Sequence, residues 1–176
     1  MRILLIPAAV VLMAANWVVD YSASHLTFDA VQEGTPFTGK LVFEADITFD
    51  PKTLKGTVIV VTIPLKQTDA GTSDRNETLL TKDFFNVGDY PVATFESTEV
   101  VTTDKGFTAN GTLTINGIRK PLSLPFTLKE HGESADVVGE TTISRKDFNV
   151  GTGEWADEGT IGDKVVVKLN LVAKKV

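Results

Sequence analysis

The chain has 176 residues, 42 % of them hydrophobic and 23 % charged, with a formal net charge of −6 and no cysteine. That is one domain of ordinary size with enough apolar residues for a single sizeable core, and the composition is not that of a disordered chain. An acidic chain without a Lys/Arg cluster excludes binding of nucleic acid by phosphate neutralisation, and the missing cysteines exclude disulfide frameworks, thiol catalysis and cysteine-based zinc sites.

The chain opens with "MRILLIPAAVVLMAAN": one Arg, an apolar run from Ile3 to Ala15, then Asn16. The run is shorter than the about 20 residues that span a bilayer. With its basic start and small residues at its end, it reads as a signal peptide over residues 1–15. The other reading is a buried first strand. Met13 fits poorly where a small residue is expected before cleavage at Ala15. Residues 16–176 show no long repeat and no low-complexity linker, so they form one domain.

From Asn16 onward the dominant period is two, the period of a strand with one wet and one dry face. "HLTF" places Phe28 inward at the start of the series. In "FTGKLVFEADITF", Phe37, Gly39, Leu41, Phe43, Ala45, Ile47 and Phe49 share a face, with Val42 the exception on the other. "DPKTLKG" is a turn punctuated by Pro51 and Gly56. "TVIVVTIPL" follows, with Ile59, Val61, Ile63 and Leu65 on one face. "VATFESTEV" turns Phe95 inward, and "GFTANGTLTI" aligns Phe107, Ala109, Gly111, Leu113 and Ile115. Asn116-Gly117 is a hairpin signal. "KPLSLPFTLKE" aligns Leu122, Leu124, Phe126 and Leu128, and "DVVGETTISR" and "DKVVVKLNLVAKK" complete the set.

About eight antiparallel strands with short turns predict a sandwich or a closed barrel. Several strands are long, and long open edges invite aggregation, which favours closure into a barrel. The inward phenylalanines suit a core filled by side chains or an apolar cavity, since a barrel of about eight strands can be either. Periodicity leaves that choice open.

A search for chemistry finds little. His25 and His131 belong to no motif; His131 lies in the polar turn "KEHGES", and His25 starts a strand, where a structural polar contact is expected and contact with an entering ligand is the alternative. Metal-binding histidine spacings, nucleophile elbows and phosphate loops are absent from the sequence. "GTGEW" at Gly151–Trp155 precedes no helix and reads as a loop. No catalytic residue, metal site or cofactor is assigned, and the protein is expected not to be an enzyme.

The alternation breaks at "DRNETLLTKDFFNVGDYPVATFEST", Asp74–Thr98. Asp74 as N-cap and Glu77 three residues later have capping-box spacing. Leu79, Leu80, Phe84 and Phe85 then form an apolar stripe on a short helix, and Asp89-Tyr90-Pro91 ends it. Such a helix would plug a barrel end or act as the lid of a ligand portal. Arg75 would pair with a carboxylate or, less expected, with a ligand head group.

Taken together and in order, "WVVDYSASHLTF", "FTGKLVFEADITFDP", the Asp74–Thr98 segment, "ANGTLTINGIRKPLSLPFTL", "ISRKDFNVGTGEW" and "IGDKVVVKLNL" resemble the bacterial YceI-like family of polyisoprenoid-binding, lipocalin-like proteins. The resemblance covers nearly all of residues 16–176. It implies an all-β fold, an extended antiparallel eight-stranded barrel of lipocalin type with a short helical segment near one end. It also implies a periplasmic or secreted location and a long isoprenoid, quinone-like or fatty-acid-like lipid in the interior. The alternative is a filled barrel acting as a protein-interaction or stress-related module without lipid. Ligand-lining candidates are Phe28, Phe37, Phe43, Ile59, Val61, Phe84, Phe85, Tyr90, Phe95, Leu113 and Phe126, with His25, Arg75 and Tyr90 at the mouth. "GTGEW" resembles a subgroup associated with membrane cytochromes, so a transient membrane or membrane-protein contact enters the expectation, as does a homodimer. The chain departs from the family pattern at Ser24-His25, at Arg75-Asn76 and at "QEGTP", which bears on head-group contacts more than on the fold.

Overall fold

The computed structural model describes residues 15–176; the expected leader, residues 1–15, lies outside them apart from Ala15. In chain order the elements are β1 (Asn16–Val19), β2 (His25–Gln32), β3 (Thr35–Leu41), β4 (Glu44–Thr48), β5 (Val58–Pro64), α1 (Ser73–Leu80), β6 (Val92–Thr103), β7 (Gly106–Ile115), β8 (Ile118–His131), β9 (Ser134–Ser144) and β10 (Lys164–Lys175). Short 3-10 turns occupy Leu65–Gln67, Arg145–Phe148 and Gly153–Ala156.

All pairings are antiparallel, and the ten segments close into an eight-stranded barrel. β10 explains the count. It pairs with β9 on one side, and on the other with β2 through Val166–Asn170 and then with β1 through Ala173–Lys175. β1 and β2 therefore share one position in the ring. β3 and β4 share the next: β3 pairs with β2 and β4 with β1. The long strand expected over Phe37–Phe49 is thus interrupted at Val42-Phe43. Two residues fall in the break, so the parity survives and Phe37, Leu41, Phe43, Ala45, Ile47 and Phe49 all face the interior.

Besides a register shift between Ser97 and Glu99, where β6 meets β7, the ladder lapses at two places. The outer edge of β3 meets no strand among the described residues; it meets Asp69, whose backbone exchanges two hydrogen bonds with Lys40 at 2.7 and 3.0 Å. β8 pairs with β9 only from Phe126 onward. Above that point β8 carries Pro121 and Pro125, which have no N–H to give, and the Thr141 hydroxyl spans to the Ser123 carbonyl at 3.1 Å.

One barrel end is filled by aromatic side chains. Phe49 meets the Phe107 ring at 5.4 Å and the Phe126 ring at 6.0 Å edge-on, and Phe107 stacks on Phe126 at 5.4 Å. The buried Trp17 donates its indole N–H to the Phe49 carbonyl at 2.9 Å. The other end carries the long connections: Leu65–Pro91 with α1, and Arg145–Asp163. The hairpin at Asn116-Gly117 turns there too, both residues at positive φ (52° and 70°) as a two-residue hairpin requires.

α1 begins two residues earlier than the sequence predicts. Its N-cap is Thr72, whose hydroxyl accepts from the Arg75 N–H at 3.3 Å; Asp74 lies in the first turn. Thr81 adopts an extended ψ of 167° and ends the helix after Leu80. Phe84 and Phe85 therefore sit in the turn that follows, not on a helical stripe.

Candidate functional site

The barrel is hollow. A cavity of about 390 Å³ runs through it, within the range of ligand pockets. Its lining follows from parity: inward residues of every strand contribute, including Phe28 on β2, Ile59 and Val61 on β5, Phe95 on β6, Leu113 on β7, Leu122 and Leu124 on β8, Val137 on β9, and Val167 and Leu169 on β10. Two glycines make room for rings. A Cβ at Gly39 would fall 2.2 Å from the Phe28 ring, and one at Gly111 would fall 2.8 Å from the Phe95 ring.

Eleven of the candidate residues line this cavity together: Phe28, Phe37, Phe43, Ile59, Val61, Phe84, Phe85, Phe95, Leu113, Phe126 and Arg75. Two do not. His25 is exposed on β2, because Leu26, Phe28 and Ala30 take the inward parity and leave His25 outside. Tyr90 is 42 % exposed and lays its ring on Gly117, where an added Cβ would meet it at 2.5 Å. It covers the hairpin turn and not the cavity.

Apart from Thr141 and Arg145, the polar part of the lining gathers where α1 faces the β2–β3 hairpin: Gln32, Asp74, Arg75 and Thr78. Asp74 is exposed, which makes this the mouth. The carboxylate partner expected for Arg75 is absent among the described residues. Its Nε donates to Gln32 Oε1 at 2.8 Å, its Nη1 reaches the Ala70 carbonyl at 3.4 Å, and its guanidinium stands 4.3 Å from the Phe37 ring centroid. The contacts are a hydrogen bond to an amide and a cation–π stack. They tie α1 to the β2–β3 hairpin.

A second arginine was not anticipated. Arg145 is only 3 % exposed and lines the cavity. Its guanidinium donates to five backbone carbonyls: Gly162 at 3.1 Å, Val150 at 2.8 Å, Gly151 at 2.7 Å, Trp155 at 2.9 Å and Ile161 at 2.8 Å. Burial pushes its pKa below the usual arginine range, while Asp163 and Glu158 push the other way. Every N–H of the fork is used, so Arg145 shapes the Arg145–Asp163 loop and offers a ligand no donor. That loop is tied in turn to the segment after α1: Gly151 and Thr152 donate backbone N–H groups to the Asp83 carbonyl at 2.7 and 2.9 Å, and Trp155 meets Phe84 edge-on at 5.6 Å. The signal was present in the sequence. Arg145 continues the inward parity of Thr141 and Ile143, as Gln32 continues that of Phe28 and Ala30.

No group of three or more His, Asp or Glu able to hold a metal occurs among the described residues. None of their helices is long and apolar enough to cross a membrane.

Residues 17–173 match the sequence profile of the YceI-like domain. The chain belongs to the YceI-like family. Among YceI-like relatives, a UPF0312 protein of Pseudomonas paraeruginosa is 35 % identical over 148 residues, covering 78 % of either chain. A UPF0312 protein of Yersinia enterocolitica is 36 % identical over 116 residues, and the match spans 60 % of that protein's length. Among solved structures, Burkholderia cenocepacia BcnA superposes with a TM-score of 0.85 at 32 % identity, covering 89 % of this chain and 100 % of that one. A polyisoprenoid-binding domain from Saccharophagus degradans, implicated in plant cell wall breakdown, superposes at 0.69 with 18 % identity, covering 93 % and 99 %. The YceI-like barrel seen here shares its fold with that domain.

Proposed function

We propose that this protein holds a long isoprenoid-type lipid, or a quinone-like or fatty-acid-like amphiphile, inside its barrel and carries or stores it in the periplasm or secreted space. The observation that carries the reading is the cavity itself: about 390 Å³, enclosed by strands and lined almost wholly by aliphatic and aromatic side chains. Family membership and the fold shared with a polyisoprenoid-binding domain support it, and the leader read over residues 1–15 supports the location.

The physics is simple. Each CH₂ taken out of water is worth about 0.8 kcal/mol. A preformed cavity collects that gain with little ordering of the protein. Specificity then rests on the shape of the cavity and on the few polar groups at the mouth. The reading of a filled barrel without lipid is disfavoured by the hollow interior.

Native mass spectrometry of the purified protein, followed by organic extraction, tests the proposal. A stoichiometric apolar adduct that yields an isoprenoid, quinone or fatty-acid species supports it. A clean mass of the protein alone, unchanged after incubation with geranylgeraniol and with solanesol, overturns it.

A further inference from the structure

The two ends of the cavity differ in kind. At the mouth the lining is polar and partly exposed, with Gln32, Asp74, Arg75 and Thr78. At the far end it is Trp17, Phe49, Phe126, Ala135 and Ala173, all buried. The polar hydrogen at that end, the Trp17 indole N–H, is spent on the Phe49 carbonyl. A head group placed there would lose its hydration and find no partner, at a cost that burial of a polar group always carries. An apolar tail loses nothing there. The chain therefore enters tail first and stops where Phe49 and Phe126, backed by Phe107, close the barrel.

The closure is well made. Phe49 is 3 % exposed, and the three rings lock in one stacked and two edge-on contacts, the geometry that aromatic pairs favour. Above it the lining on β7 is small: Ala109, the next inward residue after Phe107, is buried and has no side chain beyond Cβ. The depth open to a tail is thus fixed by side-chain size at two neighbouring levels of the barrel.

We propose that the Phe49–Phe107–Phe126 trio is a chain-length stop, which selects among isoprenoids by the number of units that fit between it and the Arg75 mouth. The proposal rests on the lipid-carrier reading given above. The stop predicts opposite effects for two substitutions. Phe126→Ala lowers the floor, and Ala109→Leu raises it.

The test is competitive binding of farnesol, geranylgeraniol and solanesol to the wild type and both variants, with folding checked by circular dichroism. Phe126→Ala is expected to shift the preference toward the longer alcohol and Ala109→Leu toward the shorter. Each shift should be about fourfold or more, the factor that one buried CH₂ supplies. Phe126→Leu, a milder truncation, carries the same sign should the alanine variant fail to fold. Variants that bind prenols with the wild-type ranking, or that both shift in the same direction, overturn the stop and leave the carrier reading standing. A wild-type protein that binds none of the three overturns the carrier reading, and the stop with it.

Discussion

Gly151 and Arg145 are built around one another. The Gly151 carbonyl accepts from Arg145 Nη1 at 2.7 Å, and a Cβ added at Gly151, whose φ is 78°, would fall 2.5 Å from the same nitrogen. The chain closes over a buried cation there by giving up a side chain and offering its carbonyls instead.

Arg145→Met is expected to destabilise the protein by about 3–5 kcal/mol, because the buried carbonyls lose their donors together. Arg145→Lys keeps the charge but has only three donors and no fork, so it should recover part of the loss. Urea unfolding of the three proteins checks the order wild type, Lys, Met.

Asp163 supports the same loop and makes its stability pH-dependent. The Ser144 hydroxyl, at 2.5 Å, is the largest influence holding its carboxyl below the usual range; the Lys146 N–H and Lys164 add to it, against desolvation. The folded state therefore binds that proton less readily than the unfolded state. The contribution is complete at neutral pH and is lost as pH falls below about 4, through the folded pKa. Protonation also removes a negative charge that favours the buried Arg145 cation. Unfolding measured from pH 7 to pH 3 should show an acid limb that Asp163→Asn flattens.

Filling the barrel should separate binding from stability. Val61 lines the middle of the cavity between Ala45 and Phe95 on the neighbouring strands. Val61→Phe puts a ring into empty space, so the melting temperature should hold within about 4 °C, the shift that 1 kcal/mol produces at this size. Uptake of geranylgeraniol should fall at least about tenfold, because the ring occupies space for more than one CH₂. Unchanged uptake would mean that the cavity is not where the lipid sits.

The mouth should respond to Arg75. Removing it cuts the hydrogen bond to Gln32 and the stack on Phe37. The stability cost should be about 1–2 kcal/mol. Release of a bound prenol, followed by transfer to vesicles, should accelerate in Arg75→Ala. His25→Ala, outside the barrel, should leave both uptake and release unchanged.

Much of this molecule was readable before its fold was known, and for one reason: strand side chains alternate strictly. Phe28, Leu113 and Phe126 line the cavity because nothing disturbs the count along their strands, and Phe95 because it precedes the register shift at Ser97–Glu99, beyond which Val100 is the buried residue. The same count, carried one step past the apolar residues, reaches Gln32 and Arg145. Followed strictly, it also turns His25 outward. What alternation could not give was three-dimensional. The five carbonyls around Arg145 come from residues 150–162, a stretch of irregular backbone whose path has no period. Tyr90 covers Gly117 across 27 residues of chain. Whether inward phenylalanines meet or stand apart depends on barrel radius, so the hollow interior was not legible either. The helix start was misplaced because Thr72 competed with Asp74 for the cap, and both are good caps.

The pairing of β10 with both β1 and β2 has a consequence for synthesis. β10 is the strand that joins β1 to β9, with Lys175 opposite Trp17 and Lys174 opposite Ser134. Until β10 has been made, β9 and the position shared by β1 and β2 are raw edges, and the sheet encloses no interior. The cavity comes into being only when Lys164–Lys175 docks along both of them. Because β1 and β10 lie far apart in sequence, that closure is a late and slow step of folding. A barrel built this way stays open along one seam until β10 is in place.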